Sequence, residues 1–163
     1  MNKFTFRPVV LSAEIFDILN DFNCGVKTMD DILHSRALLA ELNTSNPQAY
    51  CVYTENGILA AFYILGEISM PIIDEGEVHY ANMVDISCLA VAKSYRNQGL
   101  GTAILDWICE KSALMIPAID FIHVEALDLD DGSYSAVGFY EKFGFQYNSR
   151  AGEDLARMFF PLS

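Results

Sequence analysis

Val84–Met115, VDISCLAVAKSYRNQGLGTAILDWICEKSALM, limits the possible fold more than any other stretch of this chain. It reads as three joined pieces. Val84–Val91 is nearly all apolar, with Ile86, Leu89 and Val91, as expected of a strand buried on both faces. Ala92–Gly101 is a loop carrying Lys93, Arg96, Asn97, Gln98 and two glycines. Leu100–Met115 repeats apolar residues at helical spacing, at Leu100, Ile104, Trp107, Ile108 and Met115.

The loop carries the chemistry. Gly99 and Gly101 have no Cβ, so the backbone there can take φ > 0 and approach a ligand closely. A helix begins at this point, and its first N–H groups have no partner inside the helix. Those donors and the positive end of the helix dipole favour a phosphate. Lys93 and Arg96 add positive charge at the same place. Strand, glycine loop and helix therefore suit a diphosphate, and a tight turn that binds nothing is the plain alternative. Two other phosphate motifs fail. A P-loop needs Lys and Ser/Thr after its last glycine, whereas Gly101 is followed by Thr102 and Ala103. The dinucleotide fingerprint needs a third glycine at a spacing that Gly99 and Gly101 do not complete.

Arg96-Asn-Gln-Gly99-Leu-Gly101 fits R/Q-x-x-G-x-G/A, and downstream Ala136-Val-Gly-Phe139-Tyr140-Glu-Lys142-Phe-Gly144-Phe145 fits A-x-x-(apolar)-Y-E-K-x-G-F. Together, in this order, they resemble the GNAT N-acetyltransferases. The resemblance implies acetyl-CoA as cosubstrate. It implies a pyrophosphate held by Arg96, Asn97, Gln98, Gly99, Leu100, Gly101 and Thr102, and a pantetheine arm and thioester carbonyl on the backbone of Leu89, Ala90 and Val91. A fixed backbone donor there supplies transition-state stabilisation at low entropic cost.

At 163 residues the whole chain is expected to be one domain, 1–163, long enough for a real core. No apolar run reaches membrane-span length. The start, MNKFTFRPVV, lacks the apolar core and cleavage site of a signal peptide. Cys24, Cys51, Cys88 and Cys109 have neither metal-ligand spacing nor a CxxC pair, so free thiols in a reducing cytoplasm are expected. The net charge is −12, and no Lys or Arg falls between Arg36 and Lys93 or between Lys111 and Lys142. Nucleic acid binding needs a basic stripe, so this charge argues against it. The expected partners are acetyl-CoA and a small or peptidyl amine, without a membrane. The assembly state is left open between monomer and homodimer.

In chain order, Phe4–Pro8 reads as a strand ended by Pro8. Ser12 reads as the N-cap of a short helix with Ile15, Phe16, Ile18 and Leu19. Thr28–Leu42 reads as a second helix and Asn43–Pro47 as a turn. Gln48–Tyr53 and Ile58–Leu65 read as a hairpin through Glu55-Asn56-Gly57. Gly66–Asn82, with Pro71, Gly76 and four acids, reads as a loop or poorly regular strand. After the central strand and helix, Pro117 ends the helix and Ile119–Ala126 is a near-continuous apolar strand. Ser133–Phe143 reads as a helix stopped by Gly144, with Phe145–Tyr147 and Leu155–Phe160 as closing strands. The fold class is α/β, more closely α+β with a mixed sheet, because hairpins come early and βαβ units late. The order β-α-α-β-β-β-α-β-α-β-β matches the GNAT fold. The resemblance supplies six or seven strands, a sheet splayed at its centre and about four flanking helices.

Acetyl transfer to an amine also needs a neutral amine and a stabilised leaving thiolate. The resemblance puts Tyr140 at the cofactor sulfur. A phenol of pKa about 10 beside a thiol of about 8.5 makes full proton transfer uphill by about 2 kcal/mol, so a hydrogen bond to the thiolate serves as well. The plain alternative packs Tyr140 on Phe143 or Phe145. Alkyl amines titrate near pH 10, so a base or water chain must take a proton. Asp85 stands where the histone-acetylating branch of the family places a glutamate, one carbon shorter and therefore acting through a water. A solvated strand-end carboxylate is its alternative. His79, His123 and Glu125 are weaker bases, and His123 in an apolar strand reads as a core group. Cys88 raises an acetyl-cysteine route, but no His or Asn pairs with it in a motif, and a core role wins. Asp128–Gly132 lacks the ligands of a calcium loop, so no metal is expected and an acidic turn capping at Ser133 is the better account.

Glu67, Asp74, Glu75, Glu77 and Asp85, with Asp128, Asp130 and Asp131, would draw in a cationic amine; a solvated acidic surface is the alternative. A narrower resemblance adds a competing acceptor. Phe22-Asn-Cys24-Gly25 with Met29-Asp30-Asp-Ile-Leu33 and Ala37 is similar to the opening of the toxin-like acetyltransferases that modify aminoacyl-tRNA. The acidic charge, and Cys88 where that subgroup commonly has Arg, depart from it. A non-catalytic acyl-CoA-binding module is the third reading.

Overall fold

The computed structural model describes residues 3–12, 14–34 and 45–162. The elements are β1 (Phe4–Val9), α1 (Ile15–Leu19), α2 (Lys27–Leu33), β2 (Ser45–Thr54), β3 (Leu59–Asp74), β4 (Glu77–Val91), α3 (Leu100–Ala113), β5 (Phe121–Leu127), α4 (Val137–Phe143), β6 (Gln146–Gly152) and β7 (Leu155–Pro161). The seven strands form one open mixed sheet in the order β1-β2-β3-β4-β5-β7-β6. The element order is the one expected. The chain divides into two compact units, residues 1–66 with 87–101 and residues 67–86 with 102–163.

In the first unit, β1 pairs antiparallel with β2, from Phe4↔Thr54 to Val9↔Ala49. Pro8 lies inside β1 rather than ending it. The strand is the first in the sheet, where a missing N–H costs no ladder bond. Ser12 is not the side-chain cap of α1; its backbone oxygen accepts from Ile15 at 3.2 Å and the cap position is Glu14. β2 starts at Ser45, so Ser45–Pro47 are strand rather than turn. The expected helix beyond His34, and Asn43 and Thr44 of the expected turn, fall outside the described residues. The Asn-Gly hairpin forms as expected. Gly57 takes φ 77°, and its N–H donates to the Thr54 carbonyl at 3.0 Å.

Strands β3 and β4 are much longer than the sequence pattern suggests. Gly66–Asn82 is not a loop: strand structure runs through it on both sides of a two-residue turn, Glu75 (φ 49°) and Gly76 (φ 81°). Two successive left-handed residues form the tight connection that matches strand twist, here without Asn or Asp in the first place. The tip is exposed, including Ile73 and Tyr80, so it lacks the alternation that marks a half-buried strand. Nor is the end of β4 buried on both faces. Ile86, Cys88 and Ala90 are buried, while Asp85, Ser87, Leu89 and Val91 are half-exposed.

In the second unit, β4 and β5 run parallel, pairing Met83–Ile86 with Phe121–Val124. β7 pairs antiparallel with β5 from Phe121↔Pro161 to Leu127↔Leu155, and β6 closes on β7. α3 buries Ile104, Leu105, Ile108 and Ser112. Trp107 is instead half-buried, with the Lys111 ammonium 5.7 Å from its ring centre, and Met115 lies past the last helical residue. α4 starts only at Val137, because Ser135 bridges back to Asp128 and the Ala136 N–H donates to the Leu127 carbonyl at 2.8 Å. Its end is tightly fixed. Gly144 has φ 123°, and a Cβ there would lie 3.0 Å from the Phe160 ring.

Gly144→Ala is therefore expected to lower stability by about 1–3 kcal/mol through strain and crowding. Gly57→Ala, with φ 77° and nothing within 4 Å of the new Cβ, adds strain alone and is expected to cost about 1 kcal/mol. Urea unfolding midpoints measure the difference.

Candidate active site

The strand-to-helix turn is anchored from beneath. The Ala92 N–H donates to the Ala60 carbonyl of β3 at 2.8 Å, and the Lys93 N–H donates to the Asn23 carbonyl at 2.8 Å. Asn23 belongs to the Phe22–Gly25 segment singled out in the sequence. That segment is itself held: the Cys24 N–H donates to Asp30 Oδ1 at 2.8 Å, and the Gly25 N–H donates to Asn23 Oδ1 at 2.7 Å. Gly25 lies so close to the Lys93 side chain that a Cβ would meet its methylenes at 3.3 Å. Sequence reasoning flags this segment only as a resemblance. Its physical work here is to fix where the turn begins.

Lys93–Tyr95 make one 3-10 turn, and the chain then opens. Arg96 is extended at φ −69°, ψ 154° and half-buried. Asn97 and Gly99 are both left-handed, at φ 61° and φ 80°, and Asn97–Gly99 are exposed. Gln98 Nε2 donates to the Ser94 carbonyl at 3.1 Å, bracing the loop. Leu100 is buried and pins the first turn of the 14-residue α3. A Cβ on Gly99 would meet nothing within 4 Å, so that glycine is required by its backbone angle and leaves open space above it. An exposed, braced turn leading into a long helix, with Lys93 and Arg96 beside it, fits the diphosphate of coenzyme A. Leu89, Ala90 and Val91 precede it on β4, with Leu89 and Val91 on the half-exposed face.

Asp85 and His123 meet across the parallel ladder. They are register partners, and His123 Nδ1 lies 2.7 Å from Asp85 Oδ1. The His123 ring packs against Phe159 at 5.2 Å and is 3% exposed. The pairing is not visible in the sequence, where 38 residues separate the two. Tyr140, in α4, is 5% exposed and its ring sits between Phe139 at 5.0 Å and Phe145 at 5.2 Å. Asp128 and Asp130 share the single guanidinium of Arg150, at 2.6 and 2.8 Å, so one of their two charges is offset. The Asp131 carboxyl is lowered from its ordinary value by the Ser133 side chain and then by the Ser133 N–H, which donates to it at 2.8 Å.

Burial pushes the Cys88 thiol up to about 12, and a thiolate at nearby Cys24 would oppose its ionisation further. A thiol that stays protonated at neutral pH is a poor nucleophile, so acetyl-cysteine chemistry has no support here. Among the described residues no cluster of His, Cys, Asp and Glu could hold a metal ion, and no helix is long and apolar enough to cross a membrane.

Known proteins share the fold. The acetyltransferase (GNAT) domain family matches residues 45–147, and the chain belongs to that family. It is accordingly an N-acetyltransferase with acetyl-CoA as cosubstrate. No curated protein sequence matches. Among solved structures, the toxin AtaT complexed with acetyl-methionyl-tRNAfMet is 20% identical with a TM-score of 0.69, covering 98% of this chain and 95% of that one. A tyrosine-to-phenylalanine mutant of AtaT bound to the C-terminus of the antitoxin AtaR is 19% identical, with a TM-score of 0.67 over 98% and 92%. A bacterial toxin described only as such gives 15% identity and a TM-score of 0.70 over 99% and 92%. At these identities the likeness is one of fold.

Gly99→Ala is expected to weaken coenzyme A binding about tenfold or more by calorimetry, because alanine resists the left-handed angle and distorts the amide array. Asn97→Gly, which relaxes strain at φ 61° and removes only a side chain, is expected to leave affinity within about twofold.

Proposed function

We propose that this protein acetylates a cationic primary amine, small or peptidyl, by direct attack on acetyl-CoA. The observation that carries the reading is the exposed turn Asn97–Gly99, two of whose residues are left-handed and which opens onto α3. In this reading Arg96, Asn97, Gln98, Gly99, Leu100, Gly101 and Thr102 hold the diphosphate, chiefly by backbone N–H groups. Leu89, Ala90 and Val91 align the pantetheine arm, and a main-chain donor among them polarises the carbonyl. Acetyl-CoA supplies an activated acyl group whose thiol is a good leaving group. Tyr140 stabilises the departing sulfur through its hydroxyl, its ring held by Phe139 and Phe145. The base that makes the amine nucleophilic is drawn from the pair formed by Asp85, midway along β4, and its register partner His123 on β5.

The case for a cationic acceptor rests on the hairpin acids Glu67, Asp74, Glu75 and Glu77, together with Asp85. Asp128 and Asp130 add less to it, because Arg150 offsets one of their two charges. A negative surface raises the local concentration of cations and speeds their arrival, and salt weakens the effect.

A second reading, transfer to the amine of aminoacyl-tRNA, is favoured by the likeness to AtaT over nearly the whole chain. The net charge of −12 stands against it. Several cations are also engaged already: Lys27 by Asp31 at 2.7 Å, Arg150 by Asp128 and Asp130, and Arg157 by Glu125 at 3.5 Å.

Release of free thiol from acetyl-CoA, measured with spermidine, a lysine peptide and methionyl-tRNA in turn, separates these readings. Turnover of spermidine or the peptide that falls with added salt supports the first. Turnover of methionyl-tRNA alone replaces it with the second, and coenzyme binding with no thiol release for any amine ends both. Tyr140→Phe is expected to lower kcat at least tenfold with little change in melting temperature, since the ring stays in its cluster.

A further inference from the structure

Resting on that acetyl-transfer reading, we propose that His123 Nε2 takes the proton from the incoming amine and that Asp85 acts through it, as the residue that orients the imidazole. Three observations converge. His123 Nδ1 and Asp85 Oδ1 are 2.7 Å apart, and an ionised carboxylate only accepts, so Nδ1 carries the hydrogen and, in the neutral imidazole, Nε2 is a bare lone pair. His123 Nε2 is buried and has no hydrogen-bond partner among the described residues. A buried acceptor with nothing donating to it is costly, so this atom is suited to an N–H or O–H brought by a ligand or a single water. The ring is also fixed in place. Its strand position pairs with Asp85 on one side and Phe159 on the other, and Phe159 packs on its face. An orienting carboxylate, a locked tautomer and an unoccupied far nitrogen make up the arrangement that general bases use.

The same arrangement explains why Asp85 is the weaker choice for direct proton removal. One of its oxygens is already engaged by the imidazole, and its side chain is 14% exposed. The charged groups around the imidazole come from three strands. Asp85 faces it from β4. Glu125 lies two residues along β5 on the same face, and Arg157 of β7 is tied to Glu125. The protons balance over the cycle. The acceptor arrives as an ammonium and gives one proton to Nε2, forming an imidazolium beside the Asp85 carboxylate. When the new C–N bond forms and the C–S bond breaks, the nitrogen loses a second proton, which ends on the leaving sulfur by way of Tyr140. The imidazolium returns its proton to solvent, leaving amide, free thiol and one released proton.

Nitrogen-detected NMR of the full chain without ligand tests the tautomer directly. The chain has three histidines, and His123→Gln assigns the signal. Protonated Nδ1 with bare Nε2 is expected of the neutral ring, and a wild type whose neutral ring carries its hydrogen on Nε2 overturns the proposal. The rate test uses whichever of spermidine, lysine peptide or methionyl-tRNA turns over. Wild-type kcat/KM is expected to rise with pH through one ascending limb. His123→Gln is expected to lose that limb and at least about 50-fold in kcat, with acetyl-CoA affinity changed less than about threefold. Asp85→Asn, which still accepts from Nδ1 but carries no charge, is expected to move the limb to lower pH. A folded His123→Gln protein with unchanged limb and kcat overturns the proposal and leaves acetyl transfer intact. A wild type that binds acetyl-CoA yet acetylates none of the three amines removes the functional reading itself, and this proposal with it.

Discussion

Two backbone hydrogen bonds set the position of everything chemical in the first unit. The Ala92 N–H is taken by Ala60 and the Lys93 N–H by Asn23, both at 2.8 Å. From there the 3-10 turn has one direction to go, and the next residues must reach α3 within a few steps. Asn97 and Gly99 absorb the bend by going left-handed. The result is a row of amides at a helix start, with buried Leu100 as the fixed point. Local sequence, backbone angle and the exposure of these amides are therefore one chain of cause. The Phe22–Gly25 segment belongs to it too, because Asp30 and the Asn23 side chain hold the carbonyl that receives Lys93.

The second unit works by register instead. Strand alternation puts Ile122, Val124, Ala126, Ala156 and Met158 into the core, all nearly inaccessible. The other face of the same strands carries His123 and Glu125 on β5 and Arg157 and Phe159 on β7, with Asp85 beside them on β4. A one-residue slip in either ladder would bury the charges and separate Asp85 from His123. The stability of the apolar face thus specifies the geometry of the polar one. Tyr140 is held by the same logic on a smaller scale. α4 has only seven residues, but Gly144 turns the chain sharply enough for Phe145 to pack on Tyr140 and for Phe160 to pack on Phe143 and Phe145.

Local signals are legible in the sequence and register is not. The element order, the Asn56-Gly57 turn, the glycine loop and the family all follow from short patterns whose physics is local. The β3–β4 hairpin escapes a sequence reading because its tip is exposed and carries Pro71, acids and a Glu-Gly turn, which together imitate a loop. The start of α4 reads too early because Ser133 resembles an N-cap, whereas Tyr134–Ala136 commit their backbone to Leu129, Asp128 and Leu127. His123 reads as a core residue and is buried like one. Only the pairing of β4 with β5 reveals what its nitrogens face. Likewise the acids of Asp128–Asp130 read as available for steering, and only the fold brings Arg150, twenty residues on, between them.

In the proposed function, amides at the junction of β4 and α3 bind the diphosphate of coenzyme A. Amide NMR of the labelled protein titrated with coenzyme A tests it most directly. The largest shifts, and slowed hydrogen exchange, are expected on the N–H groups of Gln98, Gly99, Leu100, Gly101 and Thr102. Saturable binding that leaves those five unmoved while signals elsewhere shift would contradict it.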